Sequence, residues 1–158
     1  MHIDAVGLYE LCPEGQGSHM VVDESEPSGY RYRTNEQNGQ PTANGCGSTD
    51  SEWVPDSFFG LVHFTPACDT HDRCYGTCGS SKRECDLGLG RDMAAACSPL
   101  AGLPSLYSLC VAQAASYAAA VIAFGSDPYE SAQNEYCKWK PCCYAPFVPS
   151  WPNVPPGT

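Results

Sequence analysis

One segment concentrates the side chains able to do chemistry: Cys68-Asp69-Thr70-His71-Asp72-Arg73-Cys74-Tyr75-Gly76-Thr77-Cys78. On a helix, Cys68, His71, Tyr75 and Cys78 recur every three or four residues and share one face. A histidine flanked by cysteines that can crosslink is held with the positional tolerance that general-base chemistry requires. Asp72 follows directly, turned by about 100°, and faces a neighbouring site. A further carboxylate, Asp86, comes straight after Cys85. If Cys74 or Cys78 bridges to Cys85, two helices are pinned antiparallel and Asp86 can approach His71. A carboxylate accepting the imidazole Nδ1–H leaves the other ring nitrogen free as a base, and water can then be activated without a serine or cysteine nucleophile.

The loop Asn44-Gly45-Cys46-Gly47-Ser48 offers carbonyls to a hard cation, and Asp72 an anionic oxygen. Calcium accepts such an all-oxygen shell and would act as a Lewis acid on an ester carbonyl. The spacing Cys68-x2-His71-x2-Cys74-x3-Cys78 could instead ligate zinc. Asp72 and Asp86 would then be idle, and so many other cysteines argue for oxidation. A purely structural helix histidine is the plain alternative for His71. His63 reads as an ordinary loop residue, and Asp69 and Asp92 as solvated helix charges, Asp69 also favoured by the helix dipole. Asp92 is the alternative partner for His71.

The elements that must position these groups are mainly helical. Thr65-Pro66 predicts an N-cap followed by proline in the first turn, with the helix running to about Cys78 and Gly79 stopping it. Ser81-Lys82-Arg83-Glu84 has the capping-box pattern and opens a second helix toward Cys97. Gly88 and Gly90 each cost that helix about 1 kcal/mol against alanine, so tertiary contacts or bridges must hold it. Pro104 starts a third, alanine-rich helix reaching Phe124, closed by Gly125. Its composition, with Gln113, serines and tyrosines, favours a packed core helix over a membrane span. Asp127-Pro128 opens a short helix ending near Cys137. No strand pattern stands out, apart from a small hairpin in the cysteine-linked loops. Trp53, Val54, Phe58, Phe59 and Leu61 read either as core or as an aromatic rim at lipid-headgroup depth.

The chain has 158 residues, 18 acidic against 8 basic side chains, a formal charge of −10 and 11 cysteines. That length suits one domain. The acidic balance excludes a nucleic-acid partner, because no basic patch can displace counterions from phosphates, and it favours neutral or zwitterionic over anionic lipid surfaces. The cysteines predict a disulfide framework from an oxidising compartment. Gly17-Ser18-His19-Met20 looks like the scar of a cleavable tag, so residues 1–20 read as a tag or vector-derived segment. Removing it would take Cys12 and leave an even ten cysteines. Residues 21–43 read as an extended polar arm, 44–143 as the domain, and 144–158 as an irregular proline-rich tail.

Cys68-x2-His71-Asp72-x-Cys74-Tyr75 resembles the signature of the secreted calcium-dependent phospholipases A2. Thr77-Cys78-Gly79, Ser81-Lys82 and Cys85-Asp86 resemble the group XII-like branch most closely. The resemblance is specific over residues 44–97, weak over 98–143 and absent from 1–43 and the tail. It implies a mainly α, disulfide-rich phospholipase A2-like fold with two antiparallel catalytic helices and a glycine-containing calcium loop. It also implies calcium-dependent hydrolysis of the sn-2 ester of glycerophospholipids at a membrane or micelle surface, by a secreted monomer.

By that resemblance His71 is the general base, Asp86 its dyad partner and Tyr75 a hydroxyl donor to Asp86. Asp72 is the calcium carboxylate, with the carbonyls of Gly45, Gly47 and Thr49 as further ligands and the Gly47 amide as oxyanion donor. Bridges Cys46–Cys68 and Cys74–Cys85 are implied too, and a closed loop of this size contributes about 3 kcal/mol. The adjacent Cys142 and Cys143 are expected to serve two different partners. The family's usual cysteine pair is reduced to Ala67-Cys68. Some secreted bacterial toxins are similar, so delivery as a toxin domain, or a non-catalytic binding or toxin module on the same fold, stands as the alternative.

Overall fold

The computed structural model describes residues 10–13, 19–47 and 55–143. Thr49, Trp53, Val54, most of the expected tag segment and the expected tail (144–158) lie outside the described residues. The chain divides into two compact units, one of residues up to Thr34 and from Trp139 on, the other Asn35–Lys138.

In the first unit β1 (Met20–Val22) pairs antiparallel with β2 (Gly29–Gln37), with Met20 opposite Tyr32 and Val22 opposite Tyr30. With β5 (Cys137–Cys143) the sheet order is β1-β2-β5. Strands therefore run through the segment expected to be a polar arm and through the last residues of the expected domain, where no strand pattern stands out. The sequence hides them for a physical reason. A strand with one buried face alternates apolar and polar residues, but Arg33 is the one buried residue of β2, so pairing rather than an apolar face defines it. Pro141 is tolerated because β5 is an edge strand of this sheet, where an amide donor can be spared.

The same unit corrects the cysteine arithmetic. Cys12 bridges to Cys142, so the segment read as a tag supplies a covalent partner, and Cys143 remains a buried thiol. Cys143 instead joins the backbone of residues 10–12, its N–H donating to the Glu10 carbonyl and its carbonyl accepting from Cys12 N–H, each at 2.9 Å.

The second unit holds the helices. β3 (Ser57–Phe58) and β4 (Val62–His63) form a small hairpin just before α1 (Thr65–Tyr75). Thr65 is the first helical residue rather than the cap; Phe64 occupies the cap without a side-chain bond. Pro66 fits because amides of a first turn have no helical acceptor to lose. The helix stops at Tyr75, earlier than Cys78, with the Gly76 N–H returning to the Asp72 carbonyl at 3.0 Å. Two glutamines take over the freed backbone. Gln133 donates to the carbonyls of Tyr75 (2.7 Å) and Thr77 (2.9 Å) and accepts from Gly79 N–H. Gln37 donates to the Gly76 carbonyl and accepts from Cys78 N–H. Cys78 thus lies in the turn and bridges to Cys137.

α2 (Lys82–Ala96) starts at Ser81, whose hydroxyl accepts from Glu84 N–H. The Cys74–Cys85 bridge ties it to α1. A 3-10 turn (Ser98–Leu100) leads to α3 (Pro104–Phe124), held by the Cys97–Cys110 bridge, and α4 (Ser126–Tyr136) follows. Gly125, not Asp127, occupies the cap position of α4. Phe64, Ala67, Cys68, Leu89, Met93, Cys97, Leu100, Cys110 and Ala114 form the centre of the core. Gly90 lets α2 and α3 approach closely, for a Cβ there would lie 2.9 Å from Ala118 Cβ. α3 packs on the core as expected along one face, with Cys110 and Ala114 buried and Leu106, Val111, Tyr117 and Val121 against the core, while Leu109, Ile122 and Phe124 are exposed. It is the one helix among the described residues long and apolar enough to cross a membrane.

Candidate active site

His71 and Asp86 meet across the α1–α2 packing, His71 Nε2 lying 3.0 Å from Asp86 Oδ1. His71 is 9 % exposed and Asp86 1 %. Asp86 receives two more donors, the Tyr75 hydroxyl to Oδ1 and the Lys82 ammonium to Oδ2, both at 2.6 Å. Burial pushes the Asp86 carboxyl up, but the bonds from His71, Lys82 and Tyr75 outweigh it and hold the group below the ordinary carboxylate range. An ionised carboxylate only accepts, so the ring donates through Nε2–H and a neutral imidazole carries its lone pair on Nδ1. The sequence reading assigned these nitrogens the other way round. Nε2 is the ring atom farthest from the α1 backbone, and it is the one that spans to the neighbouring helix. Tyr75 stays a phenol donor, since burial and the facing Asp86 carboxylate push its pKa well up.

One residue along α1, Asp72 turns toward the glycine loop and accepts the Asn44 N–H at 3.0 Å. The Cys46–Cys68 bridge fixes that loop to α1. Burial raises the Asp72 carboxyl, offset in part by the Asn44 amide and His71 and reinforced by Asp69. Asp69, read as a solvated charge, accepts the Gly45 N–H at 3.1 Å, and Asp56 accepts the Cys46 N–H at 3.4 Å. Gly45 has φ +85°, the left-handed region where glycine avoids strain. Gly47 is exposed at the last described position of the loop. Asp92, the alternative partner for His71, is exposed on α2, and His63 is an exposed residue of β4.

Among the described residues no three His, Cys, Asp or Glu side chains cluster to hold a metal. A hard-cation site built on carbonyls needs only one such side chain, and the donor chemistry fits it. Asp72 is a partly desolvated carboxylate that meets the loop at the Asn44 amide, and a cation beside it would relieve the cost of its burial. Of the expected rim, Phe58 is buried, while Phe59 and Leu61 are exposed by 79 % and 56 % at the hairpin tip.

Sequence reading missed three residues of this site. Lys82 had a signal, its i,i+4 spacing from Asp86 on a helix. Gln37 and Gln133 had none, since their partners lie 39 to 58 residues away.

The model of the group XII secretory phospholipase A2 precursor family matches residues 13–144. The human group XIIA secretory phospholipase A2 is 32 % identical over 98 residues, which cover 60 % of this chain and 51 % of that protein. The mouse group XIIA secretory phospholipase A2 is 32 % identical over 97 residues, 60 % of this chain and 50 % of its own. The chain thus spans about half the length of the curated relatives it matches. No solved structure matches it. The secretory relatives and the five disulfides agree with an oxidising, extracellular setting, and nothing in these relatives points to a toxin. The family match spans most of the chain, including His71, Asp72 and Asp86, and the chain therefore belongs to the group XII secretory phospholipase A2 family.

Proposed function

We propose that this chain hydrolyses the sn-2 ester of glycerophospholipids with calcium, releasing a fatty acid and a lysophospholipid. The observation that carries the reading is the adjacency on α1 of His71, backed by a buried Asp86, and Asp72, turned to the glycine loop. His71 Nδ1 takes a proton from water as its oxygen attacks the ester carbonyl, and Asp86 steadies the imidazolium through Nε2–H. The Gly47 N–H donates to the developing oxyanion. The imidazolium then returns its proton to the departing glycerol oxygen. Asp72 and the carbonyls of Gly45 and Gly47 would hold calcium, with Thr49 as the third carbonyl outside the described residues. Bound there, calcium supplies a Lewis acid to the ester carbonyl. Phe59 and Leu61, exposed on the hairpin, support contact with a membrane or micelle surface.

A non-catalytic binding module is the second reading, favoured by one feature: the amides of Asn44, Gly45 and Cys46 are each taken up by a carboxylate. Release of fatty acid from fluorescent phosphatidylcholine vesicles separates the two. The enzyme reading expects turnover with calcium, its loss in chelator, and a fall of at least about a hundredfold in His71→Ala. Membrane lysis without calcium that survives His71→Ala overturns it.

A further inference from the structure

Lys82 lies on the first turn of α2, and its ammonium does more than pair with a neighbour. It donates to Asp86 Oδ2 at 2.6 Å and to the carbonyls of Val121 and Ile122, at 3.1 and 3.3 Å. Those carbonyls belong to the last turn of α3, at the negative end of the helix dipole; that of Val121 also accepts the Gly125 N–H at 2.7 Å and takes Lys82 as a second donor. One cation thus joins three acceptors from two helices. Asp86 has two oxygens: Oδ1 is taken by His71 and Tyr75, and Oδ2 by Lys82. A carboxylate fixed through Oδ1 alone could still pivot about its Cβ–Cγ bond and carry the imidazole with it. The Lys82 contact blocks that rotation.

We propose that Lys82 is a positioning residue for the proposed hydrolysis, locking the Asp86 carboxylate against rotation and fixing it to the C-terminal end of α3. The inference rests on the reading of His71 and Asp86 as the acid–base pair. The polar partner of the His71 ring is Asp86 rather than a group of α3, yet through Lys82 the last turn of α3 sets the carboxylate that aims the ring. A charge is needed as well as a donor, since an ionised Asp86 with no cation beside it would be buried uncompensated. Arginine can bridge a carboxylate and carbonyls with its forked donors, whereas methionine keeps the stem and loses both charge and donors.

The test compares Lys82→Met and Lys82→Arg with the parent chain, and uses Lys138→Met as a control that removes an exposed lysine paired with Glu36 at 3.8 Å. Two readouts are taken well below each protein's Tm. The first is vesicle hydrolysis with calcium. Lys82→Met lowers kcat by roughly tenfold to a hundredfold with KM within about twofold, Lys82→Arg recovers most of the loss, and Lys138→Met changes nothing. The second needs no turnover: the downfield proton NMR signal of the His71 Nε2–H held by Asp86. It is retained in the parent, Lys82→Arg and Lys138→Met, and is broadened or lost in Lys82→Met while the amide spectrum stays dispersed. A Lys82→Met chain with an unchanged signal overturns the proposal, as does one with a lowered Tm and parental kcat. If the parent shows no hydrolysis, the phospholipase reading fails by itself and the NMR comparison still decides the role of Lys82.

Discussion

Two glycines of α2, two residues apart, are expected to respond oppositely to alanine. Both cost the helix about 1 kcal/mol relative to alanine, so propensity alone promises the same gain at each. Around Gly88 a new Cβ would find only the Arg91 guanidinium, at 3.9 Å. Gly88→Ala therefore keeps the whole gain, roughly 1 kcal/mol, or about 2–4 °C in Tm for a chain of this size. At Gly90 the new Cβ would sit 2.9 Å from Ala118 Cβ. Both atoms are fixed to helix backbones, so relief requires α2 and α3 to part, at a cost of about 1–3 kcal/mol. Subtracting the propensity gain leaves Gly90→Ala destabilised by roughly 1 kcal/mol. Removing the opposing methyl in the double variant Gly90→Ala/Ala118→Gly restores the clearance, so the pair couples by about 2 kcal/mol in a double-mutant cycle. Urea and thermal unfolding by far-UV circular dichroism, with the disulfides intact, measures all five chains: the parent, Gly88→Ala, Gly90→Ala, Ala118→Gly and the double variant. A Gly90→Ala variant as stable as Gly88→Ala, with no coupling to Ala118, refutes the close-packing argument.

Two further outcomes concern the carboxylates of the site. Asp86 has a depressed folded-state pKa, so its stabilisation is present above the unfolded carboxylate value, near ~3.9, and is lost as pH falls through the lower folded value. Asp86→Asn is expected to be less stable by about 3 kcal/mol at neutral pH, with the Tm gap closing at more acid pH; a gap independent of pH contradicts this. Asp72 has the opposite sign, since burial raises it: its proton is bound more tightly in the fold, and stability is lost as pH rises through the folded value. In chelator Asp72→Asn should therefore melt slightly higher than the parent at neutral pH, and adding calcium should raise the parent's Tm alone. Equal calcium responses in the two chains would remove Asp72 from the cation site.

Much of the helical layout was legible because it depends on local signals. Ser81 followed three residues later by Glu84, proline at the head of α3 and Gly125 at its end act within one or two turns. The same locality made His71, Tyr75 and Asp86 readable as a group, for helical spacing put His71 and Tyr75 on one face and a nearby cysteine pair made it reasonable for Asp86 to approach. β5 was not legible because it pairs with distant chain, and β2, although it also pairs with nearby β1, was not legible because no strip of apolar residues marks it. α3 packs one face on the core as expected, but its exposed Leu109, Ile122 and Phe124 were not legible, because composition reports how apolar a helix is, not how much of its circumference a neighbour covers.

By itself the sequence determined the local chemistry: an imidazole and two carboxylates at helical spacings, a glycine loop before them, and cysteines placed to crosslink. The tertiary structure alone decided which ring nitrogen of His71 meets Asp86, that Lys82 joins that carboxylate to the end of α3, and that Gln37 and Gln133 close the turn after α1. It also decided that Cys142 takes Cys12 and leaves Cys143 as a thiol. The physical reason is common to all of these. Each depends on where a side chain meets a group far along the chain, and such meetings are fixed by packing rather than by the periodicity of neighbouring residues.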